Sequence, residues 1–241
     1  EKHLIDRQAE AEESMLKEFE AGNFTIQNPL VKYNLYEVSP LSAVVCFETK
    51  SETPVTITVL GKTKEANISH TFPKAKKHVL PVVGLYSNYA NQVEIRAYRG
   101  ESNVITIDVP DVYNGENPIY HMHTTPEYLQ DNVIMVSPAG LQLSSAFDYA
   151  GDARWHMNVA CVFDIKSLKN GNLIMGTHRL LKMPYYMSGL YEISPCGKVY
   201  KEFRLPGGYH HDEFEMEDGN LLVLTDDLES DTVEDMCVLI D

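Results

Sequence analysis

A stretch in the second half of the chain recurs 48 residues later, and this repeat constrains the fold more than any other feature. Phe163-Asp-Ile-Lys-Ser-Leu-Lys-Asn-Gly-Asn-Leu-Ile-Met-Gly-Thr177 aligns without a gap on His211-Asp-Glu-Phe-Glu-Met-Glu-Asp-Gly-Asn-Leu-Leu-Val-Leu-Thr225. Asp164 falls on Asp212, Gly171-Asn172-Leu173 on Gly219-Asn220-Leu221, and Thr177 on Thr225. A weaker copy runs from Tyr128 to Ser137 at an offset near 40, placing Ile134-Met135 on Ile174-Met175. Each copy reads as a strand, an Asn-Gly or Asp-Gly turn that supplies the positive φ of a tight hairpin, and a second apolar strand. A second hairpin follows: Ala146-Phe147-Asp148 to Gly151-Asp152-Ala153-Arg154-Trp155 in the first copy, Leu190–Ile193 to Gly197–Tyr200 in the next. Four strands in 40–50 residues make one blade of a β-propeller.

The third copy reaches Met236–Asp241, over Leu190–Ile193, without the turn and fourth strand that would follow. Propellers close with four to eight blades, and two and a half leave a strand edge bare. The repeat therefore predicts two to three blades of a truncated propeller inside a longer polypeptide. A smaller open sheet is the alternative.

The first half is different. Leu4, Ile5, Met15, Leu16 and Phe19 recur near helical spacing among charged residues, and Gly22-Asn23 is a stop, which predicts a helix over residues 1–22. Residues 23–110 carry short alternating runs at 43–48, 55–59, 93–98 and 104–109, separated by turn-forming clusters. With no helical segment between them, these predict a β-sandwich. Pro110-Asp111 reads as a boundary, leaving residues 111–241 to the partial propeller. Gly61-Lys62-Thr63 is not a phosphate loop, because Thr56 stands where that loop needs its first glycine.

Charge narrows the partners. The chain has 20 basic and 35 acidic residues, a formal charge of −15, which repels nucleic acid. No apolar run is long enough to span a bilayer, and Glu1-Lys2-His3-Leu4 lacks the apolar core of a signal peptide. Cys46, Cys161, Cys196 and Cys237 form neither a zinc spacing nor a disulfide framework.

The first strand of each propeller blade lines the central channel, so equivalent positions on successive blades converge there. The alignment puts His211 opposite Phe163, and Phe163 opposite His123. His210, beside His211 on a strand, is expected to point the other way or sit at the channel mouth. His121-Met-His123 with His210-His211 also admits a metal reading, although no carboxylate or cysteine spacing completes a zinc pattern. Imidazole binds anions when protonated and attacks as a nucleophile when neutral. His178-Arg179 ends the second inner hairpin, where arginine can grip an anion. Tyr185-Tyr186 and Tyr209 read as loop residues able to stack on an aromatic ligand.

Several segments also resemble one family: Asn28-Pro29-Leu30-Val31, Ser39-Pro40-Leu41-Ser42-Ala43, Gly61-Lys62-Thr63, His78–Tyr86, Gly151–Trp155, Met183-Pro184-Tyr185-Tyr186 and Gly207-Gly208-Tyr209-His210-His211-Asp212. Together they are similar to bacterial arylsulfate sulfotransferases. The resemblance implies a β-sandwich followed by a six-bladed propeller, in a homodimer outside the cytoplasm. It implies transfer of a sulfuryl group from a phenolic sulfate ester to a phenol, with no cofactor and no nucleotide donor. The family nucleophile is a histidine that becomes transiently sulfated in a ping-pong scheme, with histidine and arginine neighbours bracing the sulfuryl oxygens. Only the His-His-Asp motif carries over, to His211 with His210 as fallback. The nucleophile and the later His, Asn and Arg ligands are expected beyond residue 241, so the 241-residue chain alone is expected to be inactive. The resemblance does not locate the family disulfide on these four cysteines. The competing readings are a non-catalytic propeller that binds or adheres, and a metal-dependent hydrolase using His123 and His211.

Overall fold

The architecture comes from a computed structural model describing residues 2–114, 124–129, 133–137, 143–161, 163–183, 185–229 and 235–241. The fold is all-β apart from the helix α1, Leu4–Ala21, and short turns of helix. The helix buries Leu4, Gln8, Met15 and Phe19, while Leu16 stays exposed. The buried Gln8 is satisfied by donating from Nε2 to the Tyr36 carbonyl at 2.8 Å.

Five strands follow: β1 Leu30–Tyr33, β2 Ser42–Val59, β3 Ile68–Val83, β4 Tyr89–Ala97 and β5 Ser102–Val109. The front half of β2 pairs with β1 and the back half of β3; its back half pairs with β4 and the front half of β3. Register shifts around Thr53 interrupt the ladder between the halves, the way strands change sheets at a corner. One core results: Val45 and Phe47 from the front of β2 pack with Val55 and Ile57 from the back, and with Val93 and Ile95 of β4. Burying each such side chain contributes roughly 1.5–3 kcal/mol. The two runs expected at 43–48 and 55–59 are thus one bent strand. The strand β3 has no counterpart in the expected runs, because Lys74, Lys76, Lys77, Pro73 and Pro81 mask its alternation. Proline is tolerated there because, among the described residues, β3 pairs only with β2.

Next come β6 Ile134–Val136, β7 Ser145–Phe147 and β8 Ala153–His156, in a three-stranded sheet. The chain divides into two compact units, residues 1–135 with 145–157, and 136–144 with 158–241. Pro110-Asp111 lies inside the first unit, and so does the β7–β8 hairpin. Arg154 explains the hairpin's place. Fully buried, it donates from Nε to the Gly84 carbonyl (2.8 Å) and from Nη1 to the Ala66 carbonyl (2.6 Å). It also pairs with Asp148 at 3.1 Å and lies 4.1 Å over the Tyr86 ring. Lys62, of the segment that is not a phosphate loop, bonds Asp152 at 2.6 Å.

The second unit holds β9 Ile165–Ser167, β10 Leu173–Gly176, β11 Leu180–Lys182, β12 Tyr186–Ile193, β13 Val199–Glu215, β14 Leu221–Asp226 and β15 Asp235–Ile240. Their order is β15-β14-β13-β12-β10-β9, with β11 on β12. The 48-residue repeat holds strand by strand: β9 corresponds to the last three residues of β13, β10 to the start of β14, and the end of β12 to β15. The strand β13 serves both copies, closing the first with residues 199–204 against β12 and opening the second with 213–215 against β14.

One turn recurs four times, at residues 148–152, 168–172, 194–198 and 216–220. In each, the fourth residue donates to the carbonyl of the first, and the first donates to the carbonyl of the fifth, at 2.8–3.1 Å. The fourth residue is always glycine, at φ 82–90°. Only the glycine takes positive φ, so these are three-residue hairpin loops with a glycine bulge rather than two-residue Asn-Gly turns. Asn170 and Asp218 serve by accepting the backbone N–H two residues on. The architecture is a helix-bearing β-sandwich followed by part of a propeller.

Candidate functional site

The second copy's ladder is interrupted at one place. The β13–β14 ladder runs regularly from Glu215↔Leu221 to Glu213↔Val223, and then resumes at Tyr209↔Thr225. The strand β13 advances four residues while β14 advances two, so His210, His211 and Asp212 form a bulge. His211 takes φ 67°, in the left-handed region that costs a non-glycine residue about 1–2 kcal/mol. Bulges re-aim side chains, and they gather at working sites. Two glycines let this backbone approach its neighbours. A Cβ on Gly207 would fall 2.1 Å from the Asp226 carbonyl oxygen, and Gly208, at φ 83°, would place one 2.9 Å from the Tyr186 Cβ.

In a regular strand His210 and His211 would face opposite ways. Here their ring centroids are 5.0 Å apart and both approach Tyr185, at 6.5 Å and 5.4 Å, because the left-handed residue breaks the alternation. His210 is buried edge-on to Tyr186 at 4.8 Å. His211 is exposed, and its ring lies 4.9 Å from Phe163, the residue the repeat sets opposite it. Phe163 and Tyr185 meet edge to face at 5.8 Å. An exposed imidazole thus sits beside two aromatic rings.

Acid and base surround the bulge. Tyr209 donates its hydroxyl to the Glu213 carboxylate, and both side chains are buried. Burial pushes the Glu213 carboxyl up to about 7, with Asp164 and Asp212 adding to the rise against Tyr209 and Lys166. Burial and Glu213 together raise the Tyr209 phenol. Lys166 of β9 reaches across to pair with Asp212 and bonds the Glu213 carbonyl at 2.5 Å. Lys182 pairs with Asp226 and stands 4.6 Å over the Tyr186 ring.

The other candidates scatter. Tyr185 joins the two histidines. Tyr209 is no loop residue: it lies within β13, fully buried, against a Gly176 whose Cβ would come within 2.9 Å of its ring. It therefore has no free face for a ligand, and acts through its hydroxyl. Arg179 is engaged elsewhere, donating to the Tyr191 hydroxyl at 2.6 Å and pairing with Glu202. His178 stands beside Tyr191, its Nδ1 3.5 Å from that hydroxyl. His121 and His123 lie outside the described residues. Among the described residues, no three His, Cys, Asp or Glu side chains gather as a metal centre. Sequence reasoning missed Glu213, although the repeat sets this carboxyl against the apolar Ile165.

A family model described as arylsulfotransferase (ASST) matches residues 119–241, just over half the chain and the whole of the bulged site. The chain belongs to the arylsulfotransferase family. A second model, the arylsulfotransferase Ig-like domain, matches residues 30–114, which hold all five strands of the sandwich. The two matches of this arylsulfotransferase chain meet between residues 114 and 119, just past Pro110-Asp111. No curated protein matches the chain. Among the described residues, no helix is long and apolar enough to cross a membrane.

Proposed function

We propose that the bulge forms part of the sulfuryl site of an enzyme that moves a sulfuryl group from a phenolic sulfate ester to a phenol, without a nucleotide donor. The observation that carries this reading is the 4.9 Å approach of the His211 and Phe163 rings, from equivalent slots of successive repeats. A sulfate monoester carries anionic oxygens on one side and an aryl ring on the other. An imidazole N–H beside aromatic rings suits both ends.

His211 donates to a sulfuryl oxygen and gains strength as charge builds there. Tyr185 and Phe163 flank the phenyl ring, and His210 backs His211 from within the core. In the first half-reaction the S–O bond to the donor phenol breaks and an S–N bond to a neutral histidine forms, the imidazole N–H proton passing to the departing phenolate. In the second that S–N bond breaks, the acceptor phenol forms the new S–O bond, and its proton returns to the imidazole. The histidine that takes the sulfuryl group belongs, on the family resemblance, to another part of a longer polypeptide. A six-bladed ring, a homodimer and a place outside the cytoplasm complete the reading.

The test is incubation of the full-length protein with 4-nitrophenyl sulfate alone, followed by peptide mass spectrometry. One sulfuryl group on a histidine, removed when phenol is added, supports the transfer reaction. An unmodified protein with no 4-nitrophenol released sinks it and favours a non-catalytic binding module.

A further inference from the structure

The repeat offers an internal control. Cys161 and Ile165 occupy the slots that Tyr209 and Glu213 occupy 48 residues later. The hairpin therefore forms with an aliphatic residue where the second copy buries a carboxyl. Burying a carboxyl is costly unless it is well bonded, and here only one oxygen is: Oε2 accepts from Tyr209, whereas Oε1 is buried without a hydrogen-bond partner. The fold does not demand this group, which turns attention to what it holds.

Tyr209 begins the bulge and Glu213 ends it, so their bond closes the neck. The same Tyr209 hydroxyl lies 3.4 Å from the backbone carbonyl of His211. Between them His211 sits at φ 67°, a conformation that persists only where its surroundings enforce it.

We infer that Glu213 is a positioning residue: bonded to Tyr209 across the neck of the bulge, it holds the His211 backbone left-handed and so keeps the imidazole at the sulfuryl group. This rests on the proposed role of His211. The charged and titratable groups facing Glu213 are Tyr209 of its own strand, Lys166 of β9, Asp212 within the bulge, and Asp164 and Cys161 just before β9. Because burial pushes the carboxyl up to about 7, the pair gains a negative charge as pH rises through neutrality. That charge opposes an anionic ligand at His211.

The test compares the wild-type protein with Glu213→Gln, Glu213→Ala and Tyr209→Phe. Two quantities are read: the His211 ¹³Cα and ¹³Cβ shifts, which report its backbone region, and the affinity for phenylmethanesulfonate, an aryl anion with no transferable ester bond. At pH 6, where the carboxyl is largely neutral, Glu213→Ala and Tyr209→Phe should move the His211 carbons toward extended values and weaken binding about tenfold. Glu213→Gln keeps an acceptor for Tyr209 and should keep the shifts. Its affinity should match wild type at pH 6 and exceed it about tenfold at pH 8, the scale of one nearby unit charge in a partly dry site. Unmoved His211 carbons in both Glu213→Ala and Tyr209→Phe overturn the inference. So does a wild-type to Glu213→Gln affinity ratio that stays flat across pH, which still decides the matter if Glu213→Ala does not fold. If wild type binds no sulfonate at any pH, the sulfuryl-site reading fails, and the carbon shifts alone decide the positioning role.

Discussion

The β9–β10 and β13–β14 hairpins share one turn grammar of strand, glycine bulge and strand, yet only one of them carries an imidazole among aromatic rings. Their ladders superpose at a constant offset up to Ile165↔Met175 and Glu213↔Val223. Beyond that point the second hairpin spends two more residues on β13 than on β14. The copies teach that a repeat supplies scaffold and location, while chemistry enters where the second copy departs from the first in its residues. Buried polar groups mark that departure: Tyr209 and Glu213 replace Cys161 and Ile165, and glycines at 207 and 208 make room.

The comparison is sharpened most by activity. On the role proposed for His211, His211→Ala should lower kcat about 10²–10³-fold, the cost of losing a donor to developing charge. Phe163→Ala, at the matching slot, should raise KM about tenfold with a smaller change in kcat, since it removes only ring contact. Steady-state assays with 4-nitrophenyl sulfate and phenol check both, and equal losses in kcat would erase the distinction between the copies.

Opposite pH responses come next. The folded protein holds the Glu213 proton more tightly than the unfolded chain, where the carboxyl returns to its ordinary value near 4.5. Its contribution to stability is full below that value and is lost as pH rises through about 7, on the order of 3 kcal/mol in all. In the first unit, His156 is buried beside Tyr113, and burial holds it down to about 4. That contribution is full above pH 6.5 and is lost as pH falls through about 4, by a similar amount. Trp155, the single tryptophan, reports the first unit. Its denaturant midpoint should fall as pH drops from about 6.5 to about 4, whereas amide-exchange protection in β14 should fall as pH rises from about 4.5 to about 7. Glu213→Gln should flatten the second response only.

Glycine substitutions give smaller effects. Gly207→Ala forces a backbone clash and should cost about 2–3 kcal/mol of stability. Gly171→Ala and Gly219→Ala meet no atom within 4 Å but leave alanine at positive φ, so each should cost about 1 kcal/mol. Equal values at 171 and 219, read by urea titration, confirm that the turns are equivalent. A marked difference breaks the equivalence.

Much of this was readable in the residues. The repeat, its glycine turns and the match of His211 to Phe163 follow from spacing alone, because each copy must satisfy the same ladder. The bulge was not readable: the copies align without a gap, so the two residues taken up by the bulge leave no trace in length. Strand alternation alone does not place His210, which is buried beside Tyr186 while His211 is exposed. Glu213 hid within the acidic run Asp212–Asp218, which reads as a solvated face. The strand β3 hid behind its lysines and prolines.

The strand that ends one copy and begins the next has a consequence for unfolding. Neither copy can open alone, because peeling β13 from β12 tugs on the backbone that also supports β14. Local opening should therefore travel as one cooperative block through residues 186–226, with the imidazole of His211 embedded in the least separable part of it.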